Sequence, residues 1–432
     1  METPLEKKKY PVIISVMLVI ILLYQDAITF VIGPVTFSQV LTIAFAGIMF
    51  LIYKKNDKPI KLNIKVFIIY LVICFLSIFL NKNASLISSY LYLGFGLFTY
   101  KMYIDLFDTK EELLRSLMNV LYVTSIILSV FGIIQLLAYS IGLDFLYNFS
   151  YLGFVDNYAK YLPYSRITSL YSEPAHLCMI FGPGIFANLC KMVNSKKMKY
   201  FISLLLIIIA TIISYSIITY ISVVLFVILF IYYNRFVLKK TIIKISVKKV
   251  VYTLLIIIVP IFIMSSIVFY NGDNEGINTI KNKINDFKNG LVYSDNKNLT
   301  SHAILSNYHI AYYKFKEGKY LGTGLFSHHS SYEYYMNILY SRKYVEVNSV
   351  DAASVFIRVF SELGIVGLIL FVLLIFKSIF YGFKNKNIFI LFIVLLLIVQ
   401  GMRLGNYTFP LFILPLLCLL LNNTGGKKKN EK

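Results

Sequence analysis

Tyr200-Phe-Ile-Ser-Leu-Leu-Leu-Ile-Ile-Ile-Ala-Thr-Ile-Ile-Ser214-Tyr215-Ser216-Ile-Ile-Thr-Tyr-Ile-Ser-Val-Val-Leu-Phe-Val-Ile-Leu-Phe-Ile-Tyr-Tyr233 is a run of thirty-four residues without a charge. A hydrocarbon core about 30 Å thick takes roughly 20 apolar residues per helix, so the run is too long for one crossing and short for two. Ser214, Tyr215 and Ser216 form the polar break that would divide it, and an antiparallel pair is the expectation. Parity turns on this reading. One crossing would leave the two chain ends on opposite sides of a bilayer, whereas two return them to the same side.

Working outward, similar runs fall near 11–25, 30–53, 64–80, 84–104, 116–139, 166–190, 200–215, 217–234, 250–270, 357–381, 388–403 and 407–422. The whole chain of 432 residues is 58% hydrophobic, 15% charged and has a mean hydropathy of +0.73, beyond the range of an ordinary soluble domain. The expected fold class is an all-α polytopic membrane protein of about twelve transmembrane helices. A formal charge of +21 would point to nucleic acid in a soluble chain. Here most lysines sit in short connectors, so no nucleic-acid partner is expected and the charge reads as an orientation signal.

Connectors such as Lys54 to Lys65, Lys191 to Lys199 and Arg235 to Lys249 are basic, whereas the short alternating ones hold almost none, only Lys82, Lys160, Arg166 and Arg403. The asymmetry predicts that both termini are cytoplasmic and that the long polar segment lies outside. Three parts result: helices 1–9 over 1–270, a large extracytoplasmic loop with short helices over 271–351, and helices 10–12 with a basic cytoplasmic tail over 352–432. The run after Lys7 to Lys9 resembles a signal peptide but lacks a small-residue cleavage site, so it is expected to be retained. Cys74, Cys178, Cys190 and Cys418 all lie in apolar runs, which leaves no outer-face disulfide and no zinc spacing. Tryptophan is absent, so tyrosine must form the interfacial belt. The lack of a nucleotide-binding glycine motif argues against an ATP-driven pump.

The loop Asn271–Asp351 carries four of the five histidines. Ile277 to Lys288 and His302 to Lys316 read as amphipathic helices, and Gly322-Thr-Gly324-Leu-Phe-Ser-His328-His329 as a turn. A lone Gly-x-Gly is weak evidence for phosphate binding, and adjacent histidines diverge on most backbones, so no metal site is expected. His302, His309 and His329 are possible loop contributors near neutral pH. Arginine carries a further signal. Of only six in the chain, Arg166, Arg342, Arg358 and Arg403 fall on or near the outer face. Guanidinium is favoured over ammonium where a phosphate is held bidentately, so the cluster points to a phosphorylated ligand.

The sixth apolar run opens Arg166-Ile-Thr-Ser-Leu-Tyr-Ser-Glu173-Pro174-Ala-His176. Proline suits the first helical position, so a continuous helix is expected from Pro174 to about Cys190, its N-terminus below the outer surface and suited to an anion. Ionisable groups at that depth are costly and usually functional. Two readings stay open: Glu173 acts as a base with His176 one turn on, or Glu173 pairs with Arg166 to hold the helix end. The loop exit reads Asp351-Ala-Ala-Ser354-Val-Phe-Ile-Arg358-Val-Phe-Ser-Glu362-Leu-Gly364. Asp351, Ser354, Arg358 and Glu362 recur near helical spacing, giving a polar stripe with an i,i+4 pair. That stripe needs polar partners, for which Arg166 and Glu173 are candidates. A chamber between the two is the expected site, with Asp351 a further candidate base.

The Arg-x-x-Ser-x(3)-Glu-Pro-Ala-His run, the long outer loop with Gly-x-Gly-x-Phe, and the Arg-x(3)-Glu-x-Gly-x-x-Gly start of the next helix resemble the Wzy-type O-antigen and capsular polysaccharide polymerases of the O-antigen ligase/polymerase superfamily. The resemblance covers the architecture of nearly the whole chain, its motifs only about 165–176 and 320–367. It implies a GT-C-like fold in the bacterial cytoplasmic (inner) membrane. It implies a metal-independent glycosyltransferase without cofactor, which joins undecaprenyl-diphosphate-linked oligosaccharide repeat units into polymer on the outer face. A chain-length regulator membrane protein is an implied partner beside the lipid bilayer. The diphosphate-binding arginines of the family map by motif onto Arg166 and Arg358, and by position onto Arg342 and Arg403. The ligase branch has a histidine where this chain has Ala353, and a family serine-arginine pair is missing because Tyr215 follows Ser214. An O-antigen ligase is therefore the nearer alternative, and a lipid-linked oligosaccharide flippase the alternative of another class. A flippase would line a cavity open alternately to both sides, whereas four arginines near one face favour an enzyme.

Overall fold

The computed structural model describes residues 6–25, 31–32, 35–55, 64–81, 87–152, 154, 162, 166–195, 197–237, 299–340 and 348–424. Within them the apolar runs have become helices, the form that satisfies every backbone polar group inside one segment when no water is at hand. They are α1 (Glu6–Tyr24), α2 (Phe37–Lys55), α3 (Ile64–Asn81), α4 (Ile87–Asp105), α5 (Lys110–Ser140), α6 (Cys178–Ser195), α7 (Met198–Ile213) and α8 (Ile217–Tyr232). After residue 298 come α9 (Leu299–Lys316), α10 (His328–Tyr340), α11 (Val355–Lys384), α12 (Ile388–Arg403) and α13 (Pro410–Thr424). Lys110–Ser140, Pro174–Ser195, Ile217–Phe236 and Val355–Lys384 are long and apolar enough to cross a membrane, and shorter apolar helices accompany them.

Each expected run coincides with a helix except 250–270, which lies outside the described residues, as does the amphipathic stretch expected over 277–288. Two boundaries differ. The run expected from residue 30 starts instead with a two-residue antiparallel ladder, Val31–Ile32 on Val35–Thr36, and helix begins only at Phe37. The run expected from residue 166 is non-helical until a 3-10 turn at Pro174–Leu177, after which α6 takes over at Cys178. The expected start at Pro174 is thus right in place and tighter in winding.

The uncharged run Tyr200–Tyr233 divides where its polar residues fall. Tyr215 takes a left-handed φ of 44°, Ser216 caps α8 by accepting from the Thr219 N–H at 3.4 Å, and the Tyr220 hydroxyl closes the turn on the Ile212 carbonyl at 2.8 Å. Both α7 and α8 pack on α6, which is buried on every side from Cys178 to Cys190, the mark of a central helix. A Cβ on Gly182 would collide with Ser222 of α8, and one on Gly184 with Ser125 of α5. Gly182 admits the close approach of α8 that lets the Ser222 hydroxyl donate to the Cys178 carbonyl at 2.6 Å, and Gly184 admits α5.

The chain forms two compact units: Met1–Ala44 with Leu114–Lys288, and Phe45–Leu113 with Asn289–Lys432. In the second, α12 packs between α11 and α13, α13 also meets α4 and α3, and α9 lies along α11. The expected helix over 302–316 is α9, three residues longer at its start. A second loop helix, α10, replaces what reads in sequence as the tail of a turn.

Candidate active site

In the first unit, the polar run before α6 is held by its backbone. Gln135 of α5 accepts from the N–H groups of Thr168 and Ser169 at 3.1 and 3.0 Å, and the Ser169 hydroxyl donates to the Leu128 carbonyl at 2.7 Å. Ser169 sits at φ 56°, a left-handed position that these bonds stabilise. Tyr171 is anchored to the Leu22 carbonyl at 2.9 Å. Arg166 is buried, and within electrostatic reach of Tyr220. Glu173 is half-buried in extended conformation ahead of the 3-10 turn, and its carboxylate does not cap that turn. His176 is buried with Nδ1 3.2 Å from the Ser172 hydroxyl.

In the second unit, three glycines make a joint between loop and helix. Gly364 breaks α11 at φ 66°, ψ −169°, and Gly322 and Gly324 turn the loop at φ 75° and 94°. The break frees the Glu362 carbonyl, which accepts from the N–H groups of Thr323 and Gly324 at 3.1 and 2.8 Å. A Cβ on Gly322 would strike that carbonyl, and one on Gly364 would strike the Tyr320 carbonyl. The Gly-x-Gly motif thus serves close backbone approach. It docks the loop onto the helix.

Arg358 and Glu362 lie just ahead of the break and form the expected i,i+4 pair, with Nε to Oε1 at 3.0 Å and both side chains buried. The carboxylate also accepts from the Phe326 N–H at 2.8 Å and the His328 N–H at 3.2 Å. Arg358 donates a second bond from Nη1 to the Gly405 carbonyl at 2.9 Å. Its guanidinium lies 4.6 Å from the Tyr407 ring centroid and 5.2 Å from that of Phe326, within cation–π range. A buried pair persists only when further bonds satisfy both ions, and these do. Among the described residues nothing engages Nη2, so a planar donor held on three sides keeps an edge for a ligand. The polar partners the stripe needs come from its own unit.

One part of the stripe differs from expectation. Asp351 precedes α11 in a turn whose Ala352 and Ala353 have φ of 57° and 56°. Its Oδ1 accepts from the Ala353 N–H at 3.0 Å and Asn348 Nδ2 at 3.3 Å, an Asx turn that tolerates this backbone. Ser354 is the N-cap of α11, accepting from the Phe356 N–H at 3.2 Å and donating to the Gly401 carbonyl at 2.8 Å. Only Arg358 and Glu362 therefore share a helical face. Arg403, buried at the end of α12, is two residues from the carbonyl that holds Arg358.

A buried relay lies beside the pair that sequence reasoning missed. Lys314 of α9 donates to the Thr323 hydroxyl at 2.7 Å and to the Ser361 carbonyl and hydroxyl at 3.0 Å each. The Ser361 hydroxyl is 2.7 Å from His328 Nδ1, and His328 Nε2 is 2.7 Å from the Asn307 side-chain oxygen Oδ1. Burial, then the cations Lys314 and Arg358, then His329 hold His328 well below the usual histidine value. A neutral ring fits the geometry, with Nε2–H donating to Asn307 and Nδ1 accepting from Ser361. Burial pulls the Lys314 amine down to about 7, with Glu362 and Glu317 opposing and Lys319 assisting.

An unfolded lysine keeps its proton to about 10.5, so between 7 and 10.5 the folded protein has lost a proton that the unfolded chain retains. Stability therefore rises with pH across that window and is level below it. The melting-temperature gap between wild type and Lys314→Met in detergent is expected to move towards wild type from pH 7 to pH 9.5. A gap independent of pH would reject the assignment.

The remaining candidates are dispersed. His302 is buried on α9, and His309 meets the Tyr313 ring edge-on at 6.1 Å. His329 contacts the Ser349 hydroxyl at 2.9 Å and lies 3.6 Å from Glu333 in an exposed pair, an arrangement worth little. Arg342 lies outside the described residues. The structure thus groups Arg166, Glu173 and His176 in one unit, and Arg358, Arg403 and Asp351 in the other.

Membrane-length apolar helices, a polar loop docked on a broken helix and a buried cation beside the break define a multi-pass membrane protein with a fixed guanidinium centre. Residues 202–372 match the family model described as O-antigen ligase, a match over about two fifths of the chain that is consistent with the O-antigen ligase/polymerase superfamily. The matched segment contains Arg358, Glu362 and the three glycines of the joint. No curated protein matches the chain.

Proposed function

We propose that the protein is a polysaccharide repeat-unit polymerase acting on the outer face of a bacterial cytoplasmic membrane. The hydroxyl of a new lipid-linked repeat unit attacks the anomeric carbon of a polymer held on undecaprenyl diphosphate. The bond from that carbon to the phosphate oxygen breaks, undecaprenyl diphosphate leaves with the electron pair, and the hydroxyl proton passes to a base. The leaving group already carries negative charge, so fixed guanidinium groups can stabilise its departure without a metal. The observation that carries the reading is Arg358, a buried cation immobilised by Glu362 and the Gly405 carbonyl with Nη2 uncommitted among the described residues. Arg166, Arg403 and Arg342 are the proposed further diphosphate ligands. Glu173 is the proposed base, assisted by His176. Asp351 ranks below it because one carboxylate oxygen is committed to the Asx turn.

Polymerase is preferred to ligase because position 353, histidine in the ligase branch, is here a fully buried alanine at φ 56°. The test is to incubate purified protein with synthetic diphosphate-linked repeat units. A ladder of products supports polymerase, a single transfer to another acceptor means ligase, and no turnover favours a flippase. In cells, Arg166→Ala and Glu173→Gln should leave single repeat units on the surface, with coupling lowered by about 10²–10³, the usual cost of losing one charge-stabilising donor. Long chains in both variants would remove these two residues from the site.

A further inference from the structure

The exposed face of α9 carries Tyr308, Tyr312 and Lys316 at successive i,i+4 positions, one line along a helix. Tyr308 and Tyr312 are 44% and 36% exposed, and their rings stack nearly parallel, 11° apart with centroids at 6.3 Å. The Lys316 amine continues the line, 5.0 Å from the Tyr312 centroid. Inward, Tyr308 meets Phe360 at 6.5 Å, and Phe360 lies two residues from both Arg358 and Glu362. Tyr308 therefore packs on the same turn of α11 that carries the guanidinium centre, although residues two apart on a helix do not face each other. The opposite face of α9 is already occupied, with Ile310 in a core with Tyr332, Tyr335 and Met336.

We propose that Tyr308, Tyr312 and Lys316 form a saccharide track that holds the growing polymer next to the Arg358 centre. The proposal rests on the polymerase reading and names where its substrate chain lies. Aromatic faces are negative and attract the weakly positive C–H face of a pyranose ring, while the tyrosine hydroxyls and the lysine amine meet the sugar hydroxyls. Two parallel rings in line suit consecutive sugars of a chain. A place in the hydrocarbon core is disfavoured by composition. Among the described residues, the large hydrophobics that α9 exposes are Tyr308 and Tyr312, whereas α3 exposes Phe67, Ile68, Ile69, Leu71 and Phe75. Exposed aromatic surface on a soluble-phase element marks a binding face.

The probe is the polysaccharide made by the source cells, released from lipid by mild acid, fluorescently labelled and titrated against full-length protein in nanodiscs. Tyr308→Ala with Tyr312→Ala is expected to weaken binding at least fivefold and to shorten the product ladder. Tyr308→Phe with Tyr312→Phe should retain binding, since the ring faces remain. Equal binding by the alanine pair, or no binding by wild type, overturns the track. Binding by wild type without any ladder leaves the track standing and overturns the polymerase reading. A nitroxide on Tyr312→Cys should relax faster with a water-soluble nickel chelate than with oxygen. The reverse places the face in lipid and also overturns the proposal.

Discussion

Glu362→Ala is expected to destabilise the protein by about 3–5 kcal/mol, the cost of stranding one member of a buried ion pair. The loss is compound. Arg358 keeps its charge with its carboxylate gone, and the N–H groups of Phe326 and His328 lose their acceptor. Glu362→Gln should cost less, because the amide oxygen can still accept while the charge is lost. Replacing both partners by apolar residues, Arg358→Met with Glu362→Leu, should restore much of the stability, since well-packed apolar pairs often match a buried ion pair. That double variant should nevertheless make no polymer. Denaturant unfolding in detergent beside a ladder assay separates the two effects. A double variant that unfolds as readily as Glu362→Ala would show that the pair is not the seat of the loss, and one that polymerises would show that Arg358 does not serve chemistry.

The second large effect belongs to Gly364. Its φ of 66° and ψ of −169° fall in a region open essentially to glycine, where another residue costs about 1–3 kcal/mol. A Cβ would also collide with the Tyr320 carbonyl and the Gly322 N–H across the joint. Gly364→Ala should therefore cost more than strain alone. Gly318 is the control: it has φ 78° but open space around its Cβ position, so Gly318→Ala should cost only about 1–2 kcal/mol. Cysteine-accessibility labelling at Ser327, now buried under the joint, should become fast in Gly364→Ala and stay slow in Gly318→Ala. Equal behaviour of the two variants would mean that the joint gives way without penalty.

Much of this architecture is legible before any coordinate, because membrane helices announce themselves through length and apolarity. The division of Tyr200–Tyr233 at Ser214–Ser216 and the break at Pro174 both follow from local residue chemistry. The i,i+4 pair of Arg358 and Glu362 is equally a matter of spacing. Long-range partners are another matter. Nothing near position 362 announces that its carboxylate accepts from residues 326 and 328, or that Arg358 reaches the Gly405 carbonyl. Lys314 reads as one solvated lysine among many, and only the fold shows that it is buried and bonded to Ser361 and Thr323. His328 was legible as a histidine beside a glycine turn, but its role in a closed relay depends on Asn307, a residue without a sequence signal. Asp351 misleads in the opposite sense, since its helical spacing from Arg358 crosses a left-handed turn that periodicity does not register.

The glycine joint bears on how such a protein can change its product. At its three glycines the contact runs from backbone to backbone, and a few loop side chains, Lys314 and His328 among them, add to it. Under the proposed saccharide track, outward loop surfaces such as the Tyr308–Lys316 face could then be exchanged for others suited to a different sugar while the guanidinium centre stays undisturbed. A loop grafted from a related protein should dock if it keeps glycine at 322 and 324 together with Lys314 and His328, which makes the joint a natural seam for exchange.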